Sequence, residues 1–528
     1  MCAATLAGCG GSQHKMATST TSTATGPTHA KPVNHAVATV TDVADGGQGP
    51  EKMRLTIYDL RRQGPYVVLD FGVTCLEDPS TGCDLEFAFA PPEIEMNGNN
   101  DFNTPSAVAL VDPQANKEYL AVRDASGQPN VSQLPSNVYD NVTHLAWVRF
   151  PAPTSPVTAL DVLFPQGGPQ VPNVPITSGS GPVATAGVQA SSAAPFDRPP
   201  DSTNTTGLTL PTDNLVLTAG NPTGSDQESA TRDTLTLRAD VLFHFDKSNL
   251  TAAAHSILAH VAPQIRARAI GPVQVTGYTD SIGPPSVNGP LSQARAQSVV
   301  AALTPLTSGI NYQAAGKGAA DPVAPNTLPD GQDNPAGRAL NRRVTIVFAV
   351  RKPTPPTAPP TTGAQTSSTA GSQSRVASYS PSAQNGQGSF NVTVNSVFRE
   401  GDLAVARMTI ACASATSGKC DAEQAFAGTP TVPPQAGQAA SSGDSNTISA
   451  FYLVDPATGT EYIPVRDSTS GHAVVAGINP NMNPGDSYPV WAYFPAPPAS
   501  TSTINVELPN GSADVTGVPI GATPPPQP

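Results

Sequence analysis

Two oppositely charged residues, Asp280 and Arg295, stand at positions suited to holding a zwitterion. Asp280 lies in the glycine-bounded stretch 277–283, directly after the β-like run 273–276. Arg295 lies near the start of a helix-like stretch that begins at Leu291. A carboxylate binds an ammonium group, and a planar guanidinium holds a carboxylate with two parallel hydrogen bonds. The free N–H groups of a helix's first turn also favour a negative group. The pattern therefore predicts a binding protein.

The same pair has a second interpretation, in which Asp280 and Arg295 form an ion pair with each other and merely close the loop. Further polar residues around them are candidates for the same site: Thr279, Asn288, Asn341, Arg342 and Arg343. Thr279 and Asn288 are more typical of residues that shape a loop than of direct ligands. Neighbouring residues of a strand point to opposite faces, so at most one of the two arginines faces the site. The other is expected to pair with a carboxylate outside it.

The stretch that carries these residues alternates between strand-like and helix-like patterns. The predicted order is strand 240–245, helix 251–268 with Pro263 bending or interrupting it, strand 273–276, helix 291–303 and strand 343–348. Such an order predicts an α/β layer with helices on one face of a sheet. The loop after strand 273–276 would then lie beside the start of helix 291–303.

Several segments of this stretch resemble, in the same order, the OmpA-like peptidoglycan-binding domain. They are Phe243-His-Phe-Asp-Lys-Ser-Asn-Leu250, Gly277-Tyr-Thr-Asp-Ser-Ile-Gly283, Asn288, Leu291-Ser-Gln-Ala-Arg-Ala-Gln-Ser-Val299 and Gly337-Arg-Ala-Leu-Asn-Arg-Arg-Val344. The resemblance covers about a fifth of the chain. It implies that Asp280 and Arg295 bind diaminopimelate, whose side chain presents a free amine and a free carboxylate in the wall's stem peptide.

A different pattern occurs twice, once on each side of this stretch. The matching segments are Cys75 and Cys83 with Cys412 and Cys420, Leu110-Val-Asp-Pro with Leu453-Val-Asp-Pro, Val122-Arg-Asp with Val465-Arg-Asp, Trp147-Val-Arg-Phe-Pro with Trp491-Ala-Tyr-Phe-Pro, and Val174-Pro-Ile with Val518-Pro-Ile. Short alternating runs broken by turn residues favour an antiparallel β-sandwich. Both copies loosely resemble the immunoglobulin-like modules of actinobacterial lipoproteins. The predicted fold is a central α/β domain between two duplicated all-β, immunoglobulin-like sandwiches.

Each cysteine pair is close enough in sequence to bridge around a hairpin, and export from the cell permits disulfides. A metal site is the alternative, but two thiols without a nearby His or third Cys make a poor zinc site. We therefore expect the disulfides Cys75–Cys83 and Cys412–Cys420, each contributing about 2.5 kcal/mol, and no metal. Trp147 and Trp491 occupy equivalent places. They are interpreted as core residues of the sandwiches, with a sugar-stacking platform as the alternative.

Stretches rich in Ser, Thr, Gly, Ala and Pro separate these units. With 57 prolines and 45 glycines, much of the chain is predicted to be linker that cannot bury enough apolar surface to fold. The predicted division is a truncated lipoprotein signal at 1–9, a disordered stalk at 10–50, a first sandwich at 51–177, a linker at 178–231, the OmpA-like domain at 232–351, a linker at 352–386, a second sandwich at 387–521 and a tail at 522–528.

The start of the sequence contains Leu6-Ala-Gly-Cys9, which resembles the lipobox of bacterial lipoproteins. The residues before it are fewer than a signal peptide needs and include no basic residue, so a chance match is the alternative. Cys9 is the expected lipidation site. No run of 18 apolar residues occurs, and the sequence therefore predicts no membrane-spanning helix.

Charge and motifs narrow the classes of function. The net charge is −13, without a dense basic stripe of the kind that binds nucleic acid. The sequence lacks the His-Glu-x-x-His and Gly-x-Ser-x-Gly motifs that would suggest an enzyme acting on the wall. We expect a non-catalytic, lipid-anchored protein of the cell envelope, without a cofactor, that tethers the membrane or envelope partners to peptidoglycan. The alternative is an adhesin or signalling protein whose sandwiches carry the main role.

Overall fold

The computed structural model describes residues 36–45, 50–78, 80–85, 88–89, 103–139, 142–154, 157–165, 168–178, 205–350, 375–379, 388–415, 418–426, 447–479, 481–509 and 514–525. Three units are recognisable: a first flanking unit (36–178), a middle unit (205–350) and a second flanking unit (375–525). The predicted lipidation site Cys9 lies outside the described residues. Within the described ranges, no helix is long and apolar enough to cross a membrane.

The first flanking unit consists of strands in its described part. They are β1 (Ala38–Asp45), β2 (Pro50–Gln63), β3 (Tyr66–Cys75), β4 (Cys83–Asp84), β5 (Ala109–Asp112), β6 (Lys117–Tyr119), β7 (Arg123–Asp124), β8 (Asn137–Val138), β9 (Thr143–Pro151), β10 (Ala159–Leu163) and β11 (Gln170–Ser178). β1, β2, β3 and β9 form one antiparallel ladder, and β6, β5, β10 and β11 form another. The core between them includes Phe71, Phe89 and Phe164, whose rings meet at 5.3 to 6.2 Å.

The second flanking unit repeats these pairings. Its elements are β19 (Arg375–Tyr379), β20 (Ser389–Glu400), β21 (Leu403–Ser414), β22 (Cys420–Asp421), α5 (Ala422–Phe426), β23 (Tyr452–Asp455), β24 (Thr460–Asp467), β25 (Asn481–Met482), β26 (Ser487–Pro495), β27 (Thr503–Glu507) and β28 (Asp514–Gly521). β20, β21 and β26 pair as β2, β3 and β9 do, and β24, β23, β27 and β28 pair as β6, β5, β10 and β11 do. In both units the last strand also runs parallel to the long second one.

Both predicted disulfides are confirmed. Cys75 is bonded to Cys83 and Cys412 to Cys420, with Cα atoms 5.7 and 6.0 Å apart. Each bridge joins a cysteine at or near the end of a long strand, β3 or β21, to the short strand that follows it, β4 or β22. The two tryptophans are buried, at 8% exposure for Trp147 and 5% for Trp491.

The middle unit combines a sheet with helices. Its elements are β12 (Leu208–Thr209), β13 (Thr212–Asn221), β14 (Gly224–Glu228), β15 (Arg232–Arg238), α1 (Ala239–Leu242), α2 (Ala252–Arg268), β16 (Ala269–Gly277), α3 (Pro285–Leu303), a 3-10 turn (Thr304–Leu306), β17 (Tyr312–Gly316), α4 (Pro335–Asn341) and β18 (Arg343–Val350). β18 lies antiparallel between β15 and β16, and β17 is parallel to β16. Predicted helix 251–268 corresponds to α2, and strands 273–276 and 343–348 correspond to β16 and β18. Predicted helix 291–303 is the later part of α3, which begins at Pro285. The expectation that Arg295 lies near the start of this helix is therefore wrong.

The predicted strand 240–245 is wrong. Burial does not alternate as it would along a strand: the neighbours Leu242 and Phe243 are both buried, whereas Phe245 is 89% exposed. The place beside β18 in the sheet belongs instead to β15, in which exposed or half-buried and buried residues alternate regularly. Residues 239–242 form the short helix α1 behind it. Helix α2 runs through Pro263 without interruption and is capped by Thr251, whose side chain accepts from the Ala254 amide at 3.0 Å.

The linker predicted at 178–231 is wrong for residues 208–228, because β13 is a strand shared by all three units. Residues 212–214 pair with β6 of the first flanking unit. Residues 215–220 pair with β24 of the second flanking unit, while 217–221 pair with β14 in the middle unit. Backbone groups of β6 and β24 form hydrogen bonds with the backbone of this polar stretch. Composition alone does not reveal these hydrogen bonds.

Two shorter strands lie in other stretches predicted to be unfolded. β1 occupies the end of the predicted stalk 10–50, and β19 lies in the predicted linker 352–386. Each pairs antiparallel along its full length with the next long strand, β2 or β20. The stalk and linker predictions are therefore wrong for 38–45 and 375–379, since a neighbouring strand edge supplies the hydrogen bonds that these residues cannot make alone.

The shared strand can be tested by truncating Leu215, which is fully buried in the core that includes the second flanking unit. We expect Leu215→Ala to lower the free energy of unfolding by about 2 to 5 kcal/mol, as for other large-to-small core changes. The measurement is urea unfolding of the full chain. Thr212→Ala, in the same strand but with an exposed side chain, is the matched control. Equal effects of the two changes would contradict a structural role for β13.

Candidate functional site

Two glycines bring the loop after β16 close to helix α3. Gly277 and Gly316 are the last residues of β16 and β17 and are register partners. A Cβ on Gly277 would lie 2.2 Å from the Ser292 carbonyl oxygen, and one on Gly316 would lie 2.3 Å from the Gln293 amide nitrogen. Both distances are far below contact, so only glycine permits this approach. Asp280, which follows β16, and Arg295, which belongs to α3, are placed near each other as a result.

The loop that carries Asp280 is held by its own neighbours. The Thr279 hydroxyl donates to the Asp280 carbonyl at 2.9 Å, and the Thr279 amide donates to the Gly318 carbonyl at 2.8 Å. The Asn288 side-chain nitrogen, Nδ2, donates to the carbonyls of Ile282 and Gly283 at 3.0 and 3.1 Å. Thr279 and Asn288 are 5% and 6% exposed. Their described contacts shape the loop.

Asp280 has an arginine partner, and it is Arg342. One carboxylate oxygen accepts from the Ile282 amide at 3.0 Å, and the other accepts from Arg342 Nη1 at 2.7 Å. The Nε and Nη2 atoms of Arg342 donate to the two oxygens of Asp240 at 2.8 and 2.6 Å. The hydrogen bonds to Asp240, followed by those to Asp280, raise the pKa of Arg342. Arg342 therefore bridges two carboxylates beside the site.

Arg295 is buried without an acidic partner at bonding distance. Arg295 is 5% exposed, and its Nε donates to the Lys247 carbonyl at 3.0 Å. Its guanidinium carbon lies 5.2 Å from the centre of the Phe243 ring. Within the described ranges, its two terminal nitrogens have no hydrogen-bond partner and it forms no ion pair. Burial lowers the pKa of Arg295, against the opposing influence of Asp240 and Asp246. An ion pair between Asp280 and Arg295 does not form, so the closing-bridge interpretation is wrong.

Arg342, which lies between α4 and β18, and Arg343, the first residue of β18, have different surroundings. Arg342 contacts Asp280, whereas Arg343 is 5% exposed and lies with its guanidinium carbon 3.8 Å from the centre of the Tyr278 ring. Arg343 donates to the carbonyls of Asp321 and Asn341 at 2.9 and 3.3 Å. Burial lowers its pKa. Arg342 thus faces the site, and the expectation that the other arginine pairs with an outside carboxylate is wrong.

The Asn341 side chain forms hydrogen bonds with residues in the segment 323–326, before helix α4. Its side-chain oxygen accepts from the amides of Val323 and Ala324 at 2.7 and 3.1 Å. Its side-chain nitrogen donates to the Ala324 carbonyl at 2.8 Å and to the Asn326 side chain at 3.1 Å. At 1% exposure, Asn341 uses all these groups within the protein itself. It supports the site without being able to reach a ligand.

Two charged residues of the site are not predicted from the sequence. Arg338 places its Nε 3.8 Å from an Asp280 carboxylate oxygen and also pairs with Asp333. Its position four residues before Arg342 is a usable signal, since residues at this spacing share a helix face. Asp240 gives no such signal, because the sequence pattern places it in a strand. Two arginines, Arg338 and Arg342, therefore lie within 4 Å of the Asp280 carboxylate. In the described structure, no carboxylate forms an ion pair with the neighbouring Arg295.

Among the described residues, neither a metal cluster nor the cavity beside helix α2 coincides with this site. No cluster of three or more His, Cys, Asp or Glu that could hold a metal occurs in the part of the chain that the structure describes. A cavity of about 1080 Å³ lies elsewhere, between helix α2, the hairpin β13–β14 and the second flanking unit. The Asp280 and Arg295 site is instead a charged site near the ends of β16 and β17.

Comparison with known proteins confirms an OmpA-family domain at residues 242–335. The chain is 41% identical over 117 residues to the photosystem I P700 chlorophyll a apoprotein A2 of Gloeobacter violaceus, covering 22% of this chain and 13% of that protein. It is 40% identical over 111 residues to outer membrane protein A of Bordetella avium, covering 20% and 53%. It is 36% identical over 108 residues to the peptidoglycan-binding protein ArfA of Mycobacterium tuberculosis, covering 20% and 31%.

The chain thus spans about half or less of the length of these relatives. Among solved structures, it is similar to the cell wall anchor of the T6SS from Pseudomonas aeruginosa. That alignment covers 24% of this chain and 89% of the other, with 30% sequence identity and a TM-score of 0.21.

The role assigned to Asn341 predicts a stability defect. We expect Asn341→Ala to lower the free energy of unfolding by roughly 1 to 3 kcal/mol, because two backbone N–H groups lose their acceptor. The measurement is urea unfolding combined with amide hydrogen exchange at residues 323 and 324. Asn311→Ala, which removes an exposed amide from the same unit, should leave both unchanged. Unaltered exchange in Asn341→Ala would contradict this role.

Proposed function

We propose that this chain is a non-catalytic protein of the cell envelope that binds peptidoglycan through its OmpA-family domain. The observation that carries the proposal is Arg295, a buried guanidinium whose terminal nitrogens lack protein partners in the described structure. Burying a charge without a partner costs free energy. A bound carboxylate would offset that cost by accepting two hydrogen bonds in the geometry that arginine favours.

Asp280 supplies the complementary half of the site. Its carboxylate accepts from the Ile282 amide and from Arg342, and an ionised carboxylate offers about four acceptor positions. An ammonium group can therefore join Asp280 without displacing Arg342. Since Asp240 holds Arg342 with two hydrogen bonds, the carboxylate of Asp280 is fixed before a ligand arrives. Such preorganisation lowers the entropy lost on binding.

The ligand that fits both halves is the diaminopimelate of a stem peptide. Its side chain ends in a carbon that carries an ammonium and a carboxylate, which match Asp280 and Arg295. A lysine at the same position in the peptide would offer the ammonium alone. The OmpA-family match at 242–335 and the relative in Mycobacterium tuberculosis, which is named a peptidoglycan-binding protein, support the same ligand class.

The flanking units are proposed to be immunoglobulin-like sandwiches that act as spacers or bind other envelope proteins. Two antiparallel ladders over one core, repeated in both units, support the sandwich assignment. In this proposal, wall binding by the middle unit ties the membrane or those partners to peptidoglycan. Attachment to the membrane is proposed to occur through a lipid on Cys9, on the basis of Leu6-Ala-Gly-Cys9.

The binding proposal can be tested with two tripeptides that differ only in diaminopimelate or lysine at the third position. We expect the full chain to bind the diaminopimelate peptide about ten to a hundred times more tightly, since a charge-assisted hydrogen bond contributes roughly 1.5 to 3 kcal/mol. Arg295→Ala should remove this preference, and the measurement is isothermal titration calorimetry. Arg266→Ala, which deletes an exposed arginine of helix α2, should preserve it.

The role of Asp280 has its own readout. Asp280→Ala should weaken binding of both peptides by a similar factor, because both carry the ammonium group. If Arg295→Ala kept the preference for diaminopimelate, the assignment of Arg295 to the ligand carboxylate would be wrong. If neither peptide nor purified sacculi bound the unmodified chain, the proposed function itself would fail.

The proposed anchor is tested by labelling cells with a palmitate analogue. The protein expressed with its natural upstream sequence should take up the label, and Cys9→Ala should abolish the incorporation. Cys2→Ala is the matched control and should remain labelled. Labelling that persists in Cys9→Ala would exclude this cysteine as the lipidation site.

A further inference from the structure

The two flanking units share a buried contact that does not involve the middle unit's site. Ala109, Val111 and Leu163 of the first unit belong to the same apolar core as the strands of the second unit. At the edge of this contact, Trp491 Nε1 donates to the Gly168 carbonyl at 2.9 Å. The sheet β20–β21–β26 therefore lies against β10 and β11.

A polar network is buried within this contact, and at its centre are two carboxyl groups from different units. Asp161 of β10 is 1% exposed, and Glu400 at the end of β20 is 7% exposed. The Gln170 side-chain nitrogen lies 3.2 Å from one Asp161 oxygen and 3.5 Å from a Glu400 oxygen, so the same amide reaches both groups. The Asn173 side chain donates to the other Glu400 oxygen at 2.7 Å.

The network also includes the Asn173 backbone amide, which donates to Asp161 at 3.0 Å, and side chains of strands β21 and β26. The Tyr493 hydroxyl donates to Asp161 at 2.5 Å and is fully buried. Arg407 donates to the Gln170 side-chain oxygen at 2.7 Å and to its carbonyl at 3.2 Å. Arg407 is thus the cation of the network, while two acids would carry two negative charges if both were ionised. Two carboxyl groups that lie this close together and are shielded from water do not both ionise readily.

We infer that Asp161 and Glu400 together retain a proton at neutral pH and make the contact between the two flanking units weaken as the pH rises. The geometry supports this, because the acids are buried and share the Gln170 amide, and among the described residues Arg407 is the cation that acts on Glu400. When the units are apart, water can solvate each carboxylate separately. Loss of the retained proton therefore favours a looser contact.

The pKa shifts agree in direction with this arrangement. Burial, and then the charge of Asp161, raises the pKa of Glu400 from 4.5 to about 9, with Arg407 acting in the opposite sense. Burial also raises the pKa of Asp161, and burial beside these acids raises that of Tyr493, so the phenol stays neutral. A raised carboxyl pKa means that the packed state binds the proton more tightly. The protonated pair therefore stabilises the contact between the flanking units fully below about pH 4.5, and this stabilisation is lost as the pH rises towards about 9.

The test uses Trp491 as a reporter of the contact. Trp147 and Trp491 are the only tryptophans, so the Trp147→Phe chain reports on Trp491 alone. The readout is the urea concentration at which the Trp491 emission shifts to the red. We expect this concentration to decrease as the pH is raised from about 5 to about 9, the interval between the ordinary pKa of Glu400 and its raised pKa in the folded protein. Adding Glu400→Gln keeps a hydrogen-bonding group of the same size without the charge. It should flatten this pH dependence.

Other buried acids also titrate in this range, among them Glu118 and Asp233, whose pKa values burial raises to about 8. The comparison between variants therefore isolates the contribution of the Asp161 and Glu400 pair. Asp514→Asn, which neutralises an exposed carboxyl in the same unit, should keep the unmodified pH dependence. Asp161→Asn is the second variant, for the case in which Glu400→Gln does not fold, and it should also flatten the profile. Parallel profiles in the unmodified and substituted chains, or a midpoint that does not fall with pH, would overturn the inference.

Discussion

The arrangement of the whole chain depends on the backbone hydrogen bonds of strand β13. Residues 212–214 of this strand pair with β6 of the first flanking unit, residues 215–220 pair with β24 of the second, and residues 217–221 pair with β14. Leu215, Leu217 and Thr218 are buried where these strands meet. Because a single strand supplies hydrogen bonds to all three units, the middle unit is docked between the flanking units instead of hanging from them on a long tether.

Within the middle unit, the close approach of helix α3 to the sheet sets the chemistry of the site. The contact of Gly277 with Ser292 brings the Asp280 loop beside Arg295, and the Ser292 hydroxyl accepts from the Gly318 amide at 2.9 Å. The same approach buries the Arg295 guanidinium against Phe243. In the proposed binding mode, stability and binding therefore oppose each other at this residue, since a partner placed by the protein itself would occupy the position that a ligand carboxylate needs.

The sequence reveals the local features of this molecule better than the distant ones. Helices α2 and α3 and both disulfides depend on patterns within a few residues, and each is predictable. The charge types of the site are also predictable, but the partner of Asp280 is not, because Arg342 lies 62 residues further along the chain, between α4 and β18. β13 resembles a linker for the same reason. Its apolar content is low, and its stabilising partners lie in units that no local pattern connects to it.

The division of β13 between two partners also bears on the order in which the chain folds. During synthesis, the first flanking unit and its strand β6 are complete before β13 is made, so residues 212–214 can pair at once. Residues 215–220 need β24, which is synthesised only after the entire middle unit. Until then, half of this strand presents an open edge, a form of transient exposure that promotes mispairing. Late closure of this ladder makes the nascent chain most vulnerable to aggregation between the release of the middle unit and the arrival of β24.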